Sequence, residues 1–220
     1  MGHRVLGVGQ VLDKNYPVID LPEYWVDRLG QLSKPFTLLV SGKPKNGKTN
    51  FLMQVSKMLC NQGNTVLYNS CEEGDSKTIQ DAFIRQGMDE VKGKFFLGDN
   101  LSFNDMCDYL DKPRRPNTVI IDSLDYMHLT QQQYKKMVAR FGKRKNIIVV
   151  CWGDETGKDF MEPDDYHARK IKYMVGGLVL VKNFIATSRG RYGSTIPHVI
   201  WEEGAKKSLT KKQAVTLSLF

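Results

Sequence analysis

Cysteine is scarce and scattered: four occur in 220 residues, Cys60, Cys71, Cys107 and Cys151, with no Cys-x-x-Cys spacing and no histidine pair nearby. That argues against a zinc site and a disulfide framework, and it suits a reducing cytosol. No apolar run approaches 18 residues, and the start lacks a charged segment followed by an apolar one. A soluble, cytoplasmic protein without membrane attachment is therefore expected. Internal repeats and low-complexity tracts are also lacking. What is present is apolar material, 41% of the chain, enough for one α/β domain with a full core and little left for a second.

Negative charge is short in the second half. Residues 112–220 carry 20 Lys and Arg against 10 Asp and Glu, net +10, whereas residues 1–111 carry 12 against 14, net −2. Such asymmetry suggests a polyanionic partner, nucleic acid foremost, with a solubilising basic surface as the alternative. Lys112 to Arg115 and Arg140 to Lys145 concentrate the charge, and each run also reads as a solvated face.

The most specific motif is Gly42-Lys43-Pro44-Lys45-Asn46-Gly47-Lys48-Thr49, continued by Asn50. It follows the strand-like Phe36 to Val40 and opens an amphipathic run from Phe51 to Cys60. Between strand and helix, a glycine-framed loop turns its backbone amides around a phosphate, helped by the positive end of the helix dipole. The pattern predicts a nucleoside triphosphate site formed by residues 42–50. Lys48 would reach the β- and γ-phosphates, and Thr49 would ligate Mg²⁺.

Short apolar strands are expected at 36–40, 66–68, 95–97, 119–121, 147–150, 178–181 and 198–200. Helices are expected near 24–29, 51–60, 76–86, 102–111, 166–174 and from the Thr130 to Gln133 capping pair onward. Residues 153–165 are expected as a surface loop. The alternation indicates a doubly wound, mainly parallel sheet flanked by helices, an α/β fold. The expected organisation is an N-terminal extension over 1–34, a core over 35–204 and a basic tail over 205–220.

Ligands of such sheets sit beyond the C-terminal strand ends. Two further acidic positions fall there. Asp122, after Val119 to Ile121, suits a carboxylate that holds the Mg²⁺ hydration shell. Glu72 and Glu73 end the strand after the phosphate-loop helix, where one of them could orient a water in line with the γ-phosphate.

Taken together, these motifs resemble the RecA-like P-loop ATPases, most closely the ATPase core of bacterial RadA (Sms), with DnaB-type helicases and KaiC more distant. The resemblance covers about residues 36–196. It rests on the phosphate loop, on Val66 to Glu73, on Val119 to Ser123 and on Arg189-Gly190-Arg191-Tyr192-Gly193-Ser194-Thr195, in that order. It implies an ATP- and Mg²⁺-dependent ATPase with Glu72 as catalytic base, and Arg189 and Arg191 reaching a neighbouring subunit's γ-phosphate. It also implies a homo-oligomer such as a hexameric ring, and single-stranded DNA as partner in recombination, repair or replication. By the same resemblance, the segment from Gly153 to Pro163, with Tyr166, Arg169, Lys170, Lys172 and Tyr173, lines the DNA channel. A KaiC-like assembly switch that controls a protein partner is the alternative. The chain departs from the pattern at two places. Asp154 and Glu155 stand where a neutral sensor and a lysine are expected, and two acids there would repel a γ-phosphate unless they point away. Gly176-Gly177 replaces an aspartate.

Overall fold

Runs of Val, Ile and Leu without polar alternation are satisfied when both faces of a strand are covered, which is the condition of a parallel sheet between helix layers. A computed structural model describes residues 5–194 and 196–208. In it these runs form β1 (Thr37–Ser41), β2 (Val66–Ser70), β3 (Phe95–Asp99), β4 (Thr118–Asp122) and β5 (Asn146–Cys151). A two-residue ribbon follows, β6 (Gly153–Asp154) with β7 (Glu162–Pro163), and then β8 (Gly177–Lys182), β9 (Ile185–Gly190) and β10 (His198–Val199). The main sheet has the order β10-β9-β8-β1-β5-β4-β2-β3, with β9 antiparallel to both of its neighbours, β8 and β10, and the strands from β8 to β3 mutually parallel.

The helices include α1 (Val8–Leu12), α2 (Glu23–Leu29), α3 (Lys48–Asn61), α4 (Lys77–Gln86), α5 (Phe103–Asp111), α6 (Leu124–Met127), α7 (Gln131–Phe141) and α8 (Tyr166–Ile171). Their ends follow local chemistry. The Ser76 side chain accepts from the Ile79 amide to start α4, which stops at Gly87 with φ 61°. Ser102 caps α5 through the Asp105 amide, and Thr130 with Gln133 forms a reciprocal box at α7.

Alternate residues of each central strand enter opposite cores. Leu38, Val40, Val66, Tyr68, Ile120 and Ile148 face the α3 side with Phe51, Leu52, Val55 and Leu59. Leu39, Leu67, Val119, Ile121, Ile147 and Val149 face the other side with Met106, Leu110, Tyr134 and Phe141. Burial on both faces fixes register, because a one-residue slip would exchange the two sets.

Several elements differ from expectation. The 153–165 segment is held by the β6–β7 ribbon and by Met161, which is fully buried. Arg189 lies within β9, a strand not expected from the sequence. The extension before residue 35 supplies Ile19, Leu21, Leu29 and Leu32 to the core, whereas α1 has no buried residue. Residues 1–4, Thr195 of the arginine motif and residues 209–220 of the basic tail lie outside the described residues. Among the described residues, no helix is long and apolar enough to cross a membrane.

Candidate nucleotide site

The phosphate loop joins β1 to α3 at the sheet's centre. Gly42 is required by close packing, since a Cβ there would sit 2.3 Å from the Val181 carbonyl oxygen on β8. Asn46 braces the loop from inside. Its Nδ2 donates to the carbonyls of Lys43 and Pro44 at 3.3 and 3.2 Å, while its Oδ1 accepts from the Asn183 amide at 2.7 Å. The Phe184 amide donates to the Asn46 carbonyl at 3.2 Å, so the β8–β9 hairpin tip is fastened to the loop. Gly47, with φ 99°, turns the chain into α3, whose first helical bond runs from the Phe51 amide to Gly47 O. The amides of Lys48, Thr49 and Asn50 are thereby left at the helix's open end.

A cavity of about 420 Å³ opens there, within the size range of small-ligand sites. Pro44, Lys45, Gly47, Lys48, Thr49 and Asn50 form its floor. Glu72 and Glu73 after β2, Asp122 at the end of β4, Trp152 after β5, Thr78, Ala82 and Arg85 of α4 and Phe184 complete its lining. The structure therefore brings together Lys48, Thr49, Glu72 and Asp122. Gly42, Lys43 and Asn46 shape the loop without lining the cavity.

Lys48 Nζ donates to the carbonyls of Gly42 and Lys43 at 2.7 and 3.2 Å, and burial lowers its pKa, opposed by the charges of Asp122 and Glu72. Asp122 is 9% exposed and accepts a hydrogen bond from the Tyr68 hydroxyl. Burial pushes its carboxyl up to about 6, and the Tyr68 bond and Lys48 act against that rise. Glu72 Oε1 accepts from the Tyr126 hydroxyl at 3.1 Å, and the Tyr126 ring meets Trp152 edge-on at 5.6 Å between centroids. Glu73 instead accepts from Thr78 at the start of α4. The acidic pair is thus divided, with Glu72 held from the Asp122 side and Glu73 tied to α4.

Asp154 and Glu155 do not face the cavity. Asp154 pairs with Lys43 at 3.0 Å and Lys182 at 3.1 Å, and Glu155 pairs with Lys182 at 2.6 Å. Burial works against Asp154, yet the bonds from Lys43 and Lys182 hold its carboxyl below the usual range. The glycine pair also has a physical reason: a Cβ on Gly176 would lie 2.0 Å from the Tyr192 hydroxyl, so the exchange makes room for that ring.

Arg189 and Arg191 are exposed and line no part of this cavity. Arg189 packs its guanidinium 4.4 Å above the Phe160 ring and pairs in register with Leu178, near the start of β8, at the opposite end of that strand from Lys182. Lys172 is not available to a channel ligand: its side chain is 4% exposed, bound to Asp159, Glu162 and the Met161 carbonyl. Arg169 is likewise taken up by Glu162 and the Pro163 carbonyl.

Among the described residues, no group of three or more His, Cys, Asp or Glu could hold a metal by itself. The donors near the loop are oxygens, the Thr49 hydroxyl and the Asp122 carboxylate. A hard cation that takes its remaining ligands from phosphate oxygens and water fits that set.

The sequence matches no protein-family model and no curated protein. Solved structures do match. A KaiC-like protein from the hyperthermophilic archaeon Pyrococcus horikoshii superposes with a TM-score of 0.57 at 16% identity, over 82% of this chain and 92% of that one. The flagellar accessory protein FlaH from Methanocaldococcus jannaschii gives 0.55 at 13% identity, over 83% and 93%. A third match, to an isolated ATPase domain, gives 0.53 at 12% identity, over 74% and 80%. The chain has the RecA-like P-loop ATPase fold. Sequence reasoning missed Arg85, Trp152 and Phe184, which line the cavity, and Tyr68 and Tyr126, which bond to its carboxylates. Trp152 carried a signal, as it directly follows the β5 strand, whereas Phe184 depended on a hairpin with no turn signature of Gly or Pro.

Proposed function

We propose that this chain is a Mg²⁺-dependent ATPase of the RecA/RadA type that works as a homo-oligomer and acts on single-stranded DNA in recombination, repair or replication. The observation that carries the reading is the convergence of Lys48, Thr49, Asp122 and Glu72 on one cavity at the helix's open end. Amides of the loop and Lys48 would hold the β- and γ-phosphates. Thr49 and Asp122 would hold Mg²⁺, which when bound neutralises phosphate charge. Glu72, oriented by Tyr126, would accept a proton from a water aligned with the γ-phosphorus as the bond to the bridging oxygen breaks, releasing ADP and phosphate. Arg189 and Arg191 lie outside their own chain's cavity, so a role at the γ-phosphate requires a neighbouring copy. That supports turnover dependent on assembly.

One observation favours the KaiC-like switch instead. The post-β5 segment is acidic and internally paired, through Lys172 with Asp159 and Glu162 and through Asp154 with Lys43, which ties it to the phosphate loop rather than to a polyanion. Steady-state hydrolysis with and without single-stranded DNA decides between them. Stimulated hydrolysis supports the DNA-acting ATPase, and hydrolysis indifferent to DNA supports the switch. Absence of hydrolysis under all conditions refutes the ATPase reading, and absence of ATP binding refutes both.

A further inference from the structure

Because six strands run parallel, the turns that enter them share one edge of the sheet, about 17 Å from the nucleotide end for five-residue strands. That edge is basic. Exposed Lys34 precedes β1, Lys143 and Arg144 precede β5, Lys112, Arg114 and Arg115 precede β4, and Lys92 precedes β3. Asp111 engages Arg140 and Arg144, the latter at 3.1 Å, and Arg115 lies 4.5 Å above the Tyr109 ring. Lys145 is buried and donates to the Pro116 carbonyl at 2.7 Å, joining the turns that enter β4 and β5. Among the described residues, Lys34, Lys112, Arg114 and Lys143 enter no ion pair. A cavity of about 350 Å³ lies on this edge, lined in part by Pro17, Lys34, Asn64, Asn117, Lys143 and Arg144. Asn64 is 3% exposed, and its Oδ1 has no hydrogen-bond partner. Beside Pro17, Tyr16 presents a ring that is 59% exposed, with Lys14 Nζ 5.9 Å from its centroid.

We infer that this edge is a binding surface for single-stranded nucleic acid. Unpaired cations along adjacent strand starts follow a phosphodiester backbone, the exposed Tyr16 ring offers a stacking face, and Asn64 Oδ1 is an acceptor for a base amine. A bare anionic surface would use the cations alone. The inference rests on the reading that the chain acts on DNA, and it assigns the contact to the sheet edge opposite the nucleotide rather than to the post-β5 segment.

The test is fluorescence anisotropy of a labelled single-stranded oligonucleotide, titrated with the full chain from 50 to 200 mM salt. Two variants are compared: Lys34→Glu/Arg114→Glu/Lys143→Glu on the edge and Lys158→Glu/Lys170→Glu on the post-β5 side. Each single-strand phosphate contact contributes about −0.7 to the log–log salt slope, so the edge variant should bind at least about tenfold more weakly with a slope about 2 shallower. The post-β5 variant should bind like the wild type. ATP hydrolysis without DNA should be unchanged in both, which shows that they fold. Weakened binding in the post-β5 variant alone overturns the edge assignment and leaves the DNA reading standing. A wild type that binds no nucleic acid refutes both. Edge-dependent capture of phosphatidylserine vesicles in place of the oligonucleotide, or an edge variant that changes only the sedimenting oligomer, also overturns the inference.

Discussion

Replacing Asp122 with asparagine should expose an acid-sensitive histidine. His198 is buried between Tyr24, whose hydroxyl lies 3.0 Å from Nδ1, and Gln54, whose Oε1 lies 2.7 Å from Nε2. Burial, with the nearby Arg28 charge, lowers its pKa from 6.5 to about 4. Between those values the unfolded chain holds a proton that the folded chain lacks, so unfolding free energy falls as pH falls. The interval corresponds to about 3 kcal/mol, and nearer 2 once solvent screening is allowed for. Asp122 acts in the opposite sense. Its carboxyl is raised from 3.8 to about 6, so the folded chain holds the extra proton and stability rises as pH falls, again by about 3 kcal/mol. Asp125, also raised by burial, adds in the same direction as Asp122. Without nucleotide, the wild type should therefore show nearly level stability from pH 6.5 to 4. Asp122→Asn should lose about 2 kcal/mol across that range, less whatever Asp125 returns. Urea unfolding followed by tryptophan fluorescence at pH 6.5, 5.5 and 4.5 measures it. Equal pH dependence in both proteins would refute the reasoning, because it would mean that Asp122 is already ionised in the folded chain.

Two further outcomes follow from the same geometry. Arg191→Ala and Lys48→Ala should each be inactive alone, yet mixing them should restore measurable hydrolysis, because an assembly then contains interfaces pairing an intact loop with an intact arginine; mixtures as inactive as the separate proteins would remove Arg191 from that role. Tyr126→Phe loses the 3.1 Å bond to Glu72 and should lower kcat by about threefold to tenfold with KM little changed, measured by steady-state kinetics. An unaltered kcat would show that Tyr126 does not orient the carboxylate.

The parallel core was legible because its strands are unbroken apolar runs whose burial on both faces leaves little choice of partner layer. Caps at Ser102 and Thr130 were legible for a different reason: their hydroxyls satisfy amides only a few residues away, so the signal is local. β9 was not legible. Ile185 to Gly190 mixes Thr, Ser and Arg with few apolar residues, and its pairing with β8 depends on Asn183 and Phe184 both adopting positive φ, which Asn tolerates but Phe does not announce. At the site, loop and carboxylates could be read from order and spacing. The pairing of Asp154 with Lys43 and Lys182 could not, since it depends on three segments meeting only after the sheet forms.

The most direct measurement of the central claim, that these carboxylates and the phosphate loop form one hydrolytic centre, compares nucleotide binding and turnover in Glu72→Gln. A fluorescent ATP analogue with Mg²⁺ should bind within about twofold of wild type, while kcat falls by at least about 100-fold, the usual scale of a lost general base. Wild-type turnover in that variant would contradict the account.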